Sequence, residues 1–326
     1  MTVLVVTAKD DVTADLVVRH LMARKHPVHR IDPADLPDKL TITGNVADGA
    51  AQFVVEDEHR TTMSGAVRAV YWRKPGTPKL DGSQLPSNVR AWIADESTSS
   101  LFGLLRTLDV LWVNHPDRNA NARHKAPQLL AAKNFGLDVP ETLFTNKPVE
   151  AERFRENHGQ VIMKTLTQRD IEFVPARLVD PGEDLSSVAG AMHMFQRYVP
   201  KVADIRLTVV KDRFFAARIT DGGVDWRAKG ESATYAPTSV PRAIVKAVTK
   251  FMDHFGITYG AFDFAVAGSG PWYFLECNPN GQFGFVEAKT GMAISRAIAD
   301  LLAEGPDSLM QREGLAVGHR QSSTPS

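Results

Sequence analysis

The chain has 326 residues, with 38 Lys and Arg balanced by 38 Asp and Glu. That length allows roughly two or three domains and a core large enough to need no disulfide or metal staple. Zero net charge excludes a protein built on attraction to polyanions, so no nucleic-acid partner is expected. The single cysteine, Cys277, excludes an intramolecular disulfide and suits a reducing cytoplasm, and no run approaches the ~20 apolar residues of a membrane span. Val3 to Val6 is a short β-branched run that reads as a strand buried on both faces, and the charges that follow at Lys9, Asp10 and Asp11 do not fit a secretory signal. Val12 to Lys25 has helical spacing, and Val28 to Ile31 is a second strand, so a parallel sheet with right-handed crossovers is expected. Thr41 to Val55 and Ala66 to Trp72 supply further strands, Asn88 to Leu108 a helix, and Val110 to Val113 another strand. Residues 1–115 thus read as one α/β domain, without a Gly-x-Gly-x-x-Gly turn after its first strand.

Asn114 to Arg123 changes texture to Asn, His, Pro and Arg and reads as a boundary or linker. Beyond it come a helix over Ala126 to Phe135 with Gly136 as its C-cap, a helix over Glu150 to His158, and a strand over Val161 to Lys164. Leu185 to Met194 reads as helical and Phe195 to Val199 as extended. Ile205 to Val210 and Phe214 to Ile219 form a hairpin turning at Lys211 and Asp212. Val240 to Phe255 is a helix and Val286 to Leu302 a last one, with a mobile tail from Gly305.

The segment from Ala261 to Asn278 carries the most chemistry. Two apolar runs separated by Gly268, Ser269 and Gly270 read as a hairpin. A two-residue turn at Ser269 and Gly270 sets Asp263 directly across from Glu276, and the strand period of two brings Asn278 to the same face. One carboxylate there reads as a solvated group or half of an arginine pair. Two facing carboxylates and an amide among Phe, Trp and Leu are costly unless a cation joins them, and an oxygen-only set suits magnesium shared with phosphate. Cations with the matching chemistry occur upstream: Lys125 at a helix start, Lys164 at a strand end, and Arg206 inside a β-branched strand. Arg218 lies an even number of residues further on, and Asp225, Trp226, Arg227 and Lys229 follow the Gly222–Gly223 break. Singly, each reads as surface charge; their order is the signal. Walker, protein-kinase, zinc and Gly-x-Ser-x-Gly patterns are absent.

These residues resemble the ATP-grasp superfamily of carboxylate ligases over about Asn114 to Leu302. The most specific pieces are Phe274 to Gly281 with Asp263, then Asp204-Ile205-Arg206 and the Lys125 and Lys164 pair. Within it the chain looks most like the ribosomal peptide maturases that make graspetides, the microviridin-type crosslinked peptides, and among these like actinobacterial members. Val70 to Pro75, Gly281-Gln282-Phe283 and Asp225-Trp226-Arg227 carry that likeness.

The resemblance implies an N-terminal parallel-sheet domain before a two-lobed ATP-grasp α+β fold, divided at residues 1–115, 116–200, 201–304 and a tail 305–326. It implies ATP between two lobes, with Lys125 and Lys164 on its phosphates and the backbone from Gln196 through Tyr198 to Val199 as adenine hinge. Asp204 would lie near the ribose, Arg206 near the γ-phosphate, and Asp263, Glu276 and Asn278 would hold Mg²⁺. Arg218 and Arg227 are the candidates for the acceptor carboxylate or developing oxyanion, and Asp225 for orienting the nucleophile. The implied partner is a ribosomal precursor peptide, leader and core, gripped by the insert from Pro175 to Gly190, in a homodimer or higher homo-oligomer of a cytoplasmic enzyme. The loop Thr165 to Arg169 departs from the family pattern in having no glycine. A ligase adding glutamate to a protein tail or small molecule would share this nucleotide site, and so would a nucleotide-binding regulator without chemistry.

Overall fold

The computed structural model of the chain describes residues 1–80, 83–167, 174–227, 233–268 and 270–305. Ser269, Lys229, Gln168, Arg169 and all of the tail after Gly305 lie outside the described residues. Among those residues no helix is long and apolar enough to cross a membrane.

The N-terminal unit begins with β1 (Thr2–Val6), α1 (Val12–Ala23), β2 (Val28–Ile31), β3 (Leu40–Ala47), β4 (Ala50–Asp57) and β5 (Thr61–Met63). It ends with β6 (Val67–Trp72), α2 (Ser87–Leu105) and β7 (Leu111–Val113). Strands β2-β1-β6-β7 form the expected parallel sheet, and Val3, Leu4, Val5 and Val6 are buried as its interior position demands. β3, β4 and β5 instead pair antiparallel in a separate sheet, turned by Asp48 and Gly49, both at positive φ as a tight hairpin requires. β5 is too short and too polar to be visible in the sequence.

The stretch read as a linker is helical: α3 (Pro116–Ala122) leads into α4 (Lys125–Asn134). Its polar composition has an internal cause. Asn114 is buried, its Nδ2 donating to the carbonyls of Tyr259 at 2.8 Å and Pro279 at 2.9 Å, so the polar side chain ties the first unit to the last.

The central unit comprises β8 (Thr142–Thr145), α5 (Pro148–His158), β9 (Val161–Lys164), β10 (Arg177–Leu178) and β11 (His193–Arg197), in the antiparallel order β10-β9-β11-β8. The helix expected over Leu185 to Met194 is not formed. Ser186–Gly190 makes a 3₁₀ turn and β11 already begins at His193. Leu185 and Val188, three apart, are buried in the same small cluster as Ala151 and Phe195, a spacing one tight turn satisfies.

The C-terminal unit comprises β12 (Lys201–Val210), β13 (Arg213–Thr220), β14 (Thr234–Thr238), α6 (Arg242–Phe255), β15 (Tyr259–Ala267), β16 (Trp272–Asn278), α7 (Gly284–Thr290) and α8 (Ile294–Glu304). Its antiparallel sheet runs β14-β13-β12-β15-β16. One face, with Ile205, Leu207, Val209, Phe262 and Phe264, shares a core with Val248, Phe251 and Phe255 of α6. The expected single last helix is two, because Gly291 at φ +70° ends α7. β14 was not expected: Thr234–Thr238 is an edge strand carrying Pro237, a residue that weakens a strand signal.

Candidate active site

Asp263 and Glu276 are cross-strand partners, but not by the turn that the sequence implied. Near the turn the pairs are Val266 with Trp272, Ala265 with Tyr273 and Phe264 with Phe274, and Ala267 N–H donates to the Pro271 carbonyl at 3.0 Å. The loop is therefore one residue longer than expected. A bulge at Leu275, one extra residue on β16, restores the pairing from Asp263 and Glu276 onward. Arg206 is the partner of Asp263 on the other side, so Arg206, Asp263 and Glu276 stand in a row on one face. Asn278, opposite Ala261, continues it.

The edge of β16 is held by neighbouring elements. Gln128 of α4, fully buried, accepts from Cys277 N–H at 2.8 Å and donates to the Cys277 carbonyl at 2.7 Å, standing in for the next strand. Phe274 N–H donates to the Asp138 carbonyl at 2.7 Å. Cys277 itself points to the core face, where burial pushes its thiol well up and leaves it unreactive.

Four cations surround the two carboxylates. Arg206 Nη1 donates to both oxygens of Asp263, at 3.1 and 3.0 Å. Arg227 Nη2 bridges Asp263 and Glu276, the latter at 2.6 Å. Lys125, the first residue of α4, pairs with Glu276 from the strand edge. Lys164, at the end of β9, donates to the side-chain oxygen of Gln196 at 2.9 Å, and Gln196 is fixed in turn by Thr142 at 2.9 Å. Burial, together with the Lys125 and Arg227 charges and against that of Glu276, pushes the Lys164 ammonium down to about 8. Burial alone would raise Glu276; Lys125, Arg227 and Lys164 outweigh it and hold that carboxyl well below its ordinary range.

The loop before Arg227 is pinned at both ends. Asp204 is buried with both oxygens on Lys201, at 2.6 and 2.7 Å, and Lys201 also donates to the Val224 carbonyl at 3.0 Å. Burial, against Lys201, pushes Asp204 up to about 6. A Cβ on Gly222 would lie 2.6 Å from that of Trp226, so only glycine lets the loop fold back here. Asp225 accepts from Ala176 N–H at 3.1 Å, joining the loop to the central unit, and from Arg227 N–H at 3.0 Å. The Arg227 guanidinium lies 4.8 Å from the Trp226 ring.

One candidate is placed elsewhere. Arg218 pairs with Ile205, so it stands on the sheet face opposite Arg206 and Asp263; an even separation in sequence does not give a common face across a hairpin. Asp204 lies on the same face as Arg206 and Asp263, with one contact from Lys201 on each carboxylate oxygen. Tyr198 and Val199 follow β11, with Tyr198 N–H donating to the Gln160 carbonyl at 2.9 Å. The site also holds residues that the sequence did not single out: Gln128, the side chain of Gln196, and Lys201.

Two opposed carboxylates already joined by one cationic group form a set that a hard divalent ion fits, with oxygen ligands only. Asn278 Oδ1 accepts from Asn280 N–H at 3.0 Å and keeps a second lone pair. Among the described residues no three His, Cys, Asp or Glu side chains converge on one point.

Comparison with known proteins bears on the fold. Residues 2–120 match the family model of the MvdD pre-ATP grasp domain. The curated proteins contain no match. Among solved structures, the chain is similar to a Chryseobacterium gregarium RiPP-associated ATP-grasp ligase in complex with ADP and a leader and core peptide, at 26% identity and TM-score 0.85, covering 93% of this chain and 96% of that one. It is similar to the macrocyclase MdnC of Microcystis aeruginosa MRC bound with the precursor peptide MdnA, at 26% identity and TM-score 0.84, covering 93% and 100%. The macrocyclase MdnB of the same organism matches at 26% identity and TM-score 0.76, covering 92% and 98%. The chain thus carries an MvdD-type pre-ATP-grasp domain and, over nine-tenths of its length, the fold of the RiPP-associated ATP-grasp ligases and macrocyclases.

Proposed function

We propose that the chain crosslinks a ribosomal precursor peptide, joining Asp or Glu side chains to Ser or Thr as ω-esters or to Lys as amides, with ATP as the activating substrate. The observation that carries this reading is the pair Asp263 and Glu276, opposed across one ladder and ringed by Lys125, Lys164, Arg206 and Arg227. The cations outnumber the carboxylates there, which suits a triphosphate. The peptide as substrate is supported by the ligand of MdnC and by the leader and core peptide of the Chryseobacterium ligase.

A carboxylate does not condense with a hydroxyl or amine at neutral pH, because oxide is a poor leaving group. In the proposed reaction a peptide carboxylate oxygen attacks the γ-phosphorus of ATP, the bond to the bridging oxygen breaks, and ADP leaves. The hydroxyl oxygen or amine nitrogen then attacks the acyl carbon, phosphate leaves, and the nucleophile gives up its proton. Mg²⁺, held by Asp263, Glu276 and Asn278, would supply charge neutralisation on the phosphates. Lys125, Lys164 and Arg206 bring the two anions together by positioned charge. Arg227, anchored on Trp226, holds the acceptor carboxylate, and Asp225 orients the nucleophile. The hinge Gln196 to Val199 receives the adenine. Asp204 lies toward the ribose, and Arg218, on the opposite sheet face, has no part in this assignment.

The test is incubation with ATP, Mg²⁺ and an acidic, Thr-rich peptide encoded beside the gene, followed by mass spectrometry. Loss of one water per crosslink with matching ADP release is the expected result. Gain of one amino-acid residue would identify a tailing ligase, and absence of ADP release with any acceptor would identify a binder without chemistry.

A further inference from the structure

The turn that leaves β16 at Asn278, an assigned metal ligand and the last residue of the ladder, runs to Gln282 and backs a second ligand, and its residues beyond Asn278 lie outside the sheet pairing. Its backbone makes one internal hydrogen bond, Gly281 N–H to the Asn278 carbonyl at 3.2 Å. Tyr259 Oη donates to the Gly281 carbonyl at 2.7 Å and Asn114 Nδ2 to the Pro279 carbonyl at 2.9 Å; further holds come from the N-terminal unit, where Thr13 Oγ1 donates to the Gln282 side-chain oxygen at 2.6 Å and Arg73 reaches the turn at several points. Arg73, the residue after β6, is buried at 2% exposure and spreads its guanidinium over three acceptors. Nε donates to Asp11 at 3.1 Å, Nη1 to the Gly281 carbonyl at 3.3 Å, and Nη2 to the Gln282 side-chain oxygen at 3.1 Å. The Phe283 ring lies 5.9 Å from the same guanidinium. The Arg73 carbonyl accepts from the Asn280 side chain, and Asn280 N–H in turn donates to Asn278 Oδ1. Both the main chain and the side chain of Arg73 therefore grip the turn.

The grip continues into the site. The Gln282 carbonyl accepts from Arg206 Nη2 at 3.0 Å, and Arg206 Nη1 holds both oxygens of Asp263. Gly281 lies so close to the sheet that a Cβ would fall 2.5 Å from that of Ala261 and 2.7 Å from Arg206 Nη2. A shift of the turn would move Arg206. A buried ion pair such as Arg73 with Asp11 is weak as a source of stability, since both charges lose their hydration. A planar fork aimed at three separate oxygens does fix geometry, and a lysine cannot reproduce it.

We propose that Arg73 is a positioning residue for the metal and phosphate end of the site, a cation of the N-terminal unit that sets the Asn278 to Gln282 turn and through it Asn278, Arg206 and Asp263. It touches no reacting atom. The inference rests on the reading of Asp263, Glu276 and Asn278 as the Mg²⁺ ligands, and the experiment separates the two.

Binding of ADP to the full chain is measured by titration calorimetry with Mg²⁺ and with EDTA. The variants are Arg73→Lys, the charge-neutral double variant Asp11→Asn with Arg73→Gln, and Glu276→Gln as reference; asparagine keeps the N-cap of α1. Both Arg73 variants are expected to lose tenfold or more of the Mg²⁺-dependent affinity while ADP binding in EDTA stays within twofold. If Glu276→Gln loses the Mg²⁺ dependence and Arg73→Lys keeps it within twofold, this proposal is overturned and the metal assignment stands. If Glu276→Gln retains it, the metal assignment itself fails. Equal loss in EDTA and in Mg²⁺, or melting of both Arg73 variants below the assay temperature, would make Arg73 a residue of general stability and overturn the positioning role.

Discussion

Two buried arginine clusters, Arg73 with Asp11 and Arg227 with Asp263 and Glu276, use the same chemistry to opposite ends. Asp11 has one ionic partner and spends its remaining lone pairs on Thr7 and on the first amides of α1, and the other donors of Arg73 meet neutral oxygens. Charge there is matched one to one and every group has a fixed place. At the hairpin Asp263 is shared between Arg206 and Arg227, and Glu276 between Arg227 and Lys125, while among the described residues the Lys164 ammonium hydrogen-bonds to a neutral amide. A matched cluster holds a shape; a cluster with excess and shared charge can exchange partners as a substrate enters. The difference teaches that burial of charge alone does not mark a site. Unequal sharing does.

The comparison breaks first on stability. Asp11→Ala leaves the Arg73 guanidinium buried without its carboxylate and removes an N-cap, and is expected to cost about 3–5 kcal/mol in urea unfolding. Arg227→Gln leaves Asp263 with Arg206 and Glu276 with Lys125, and Arg227 is one-third exposed, so its cost should stay within about 1 kcal/mol. Equal losses would erase the distinction between the two clusters.

A second contrast is catalytic. Glu276→Gln is isosteric, keeps a hydrogen-bond acceptor toward Lys125 and removes one charge; turnover of ATP with peptide should fall by about 10²–10³-fold. Unchanged turnover in steady-state ADP release would remove Glu276 from the metal-binding set.

The path from sequence to site was uneven for physical reasons. The opposition of Asp263 and Glu276 was legible, but through two compensating features: a longer turn and the bulge at Leu275, neither of which leaves a trace in the pattern of apolar residues. Arg218 was misplaced because faces across a hairpin follow the sum of paired numbers, and Ala217 rather than Arg218 is the partner of Arg206. Asp204 was on the expected face, and its pairing with Lys201, three residues earlier, was unremarkable in sequence. The contact of Arg73 with Gln282 spans 209 positions, so no local signal exists for it. The parallel N-terminal sheet was legible because double burial forces a continuous apolar run, whereas Asn114 to Arg123 was misread because polarity inside an interface looks like polarity in solvent.

The smallest expected effect concerns Lys164, and its sign is opposite to that of Asp11. Burial holds its folded-state pKa at about 8, below the ordinary 10.5, so the charged lysine opposes folding. Between those values the unfolded chain binds more protons, and stability of the parent protein rises with pH across that window. Below pH 8 the opposition is full and constant. Lys164→Met removes it, so the variant should melt a few degrees above the parent at pH 7, and the gap should close as pH approaches 10.5. The same variant should lose ligase turnover, because the ammonium that weakens the fold is the one placed for phosphate. A Lys164→Met protein that melts lower than the parent at pH 7 would mean that the hydrogen bond to Gln196 outweighs the buried charge, and that the hairpin cluster is as well matched as the one around Arg73.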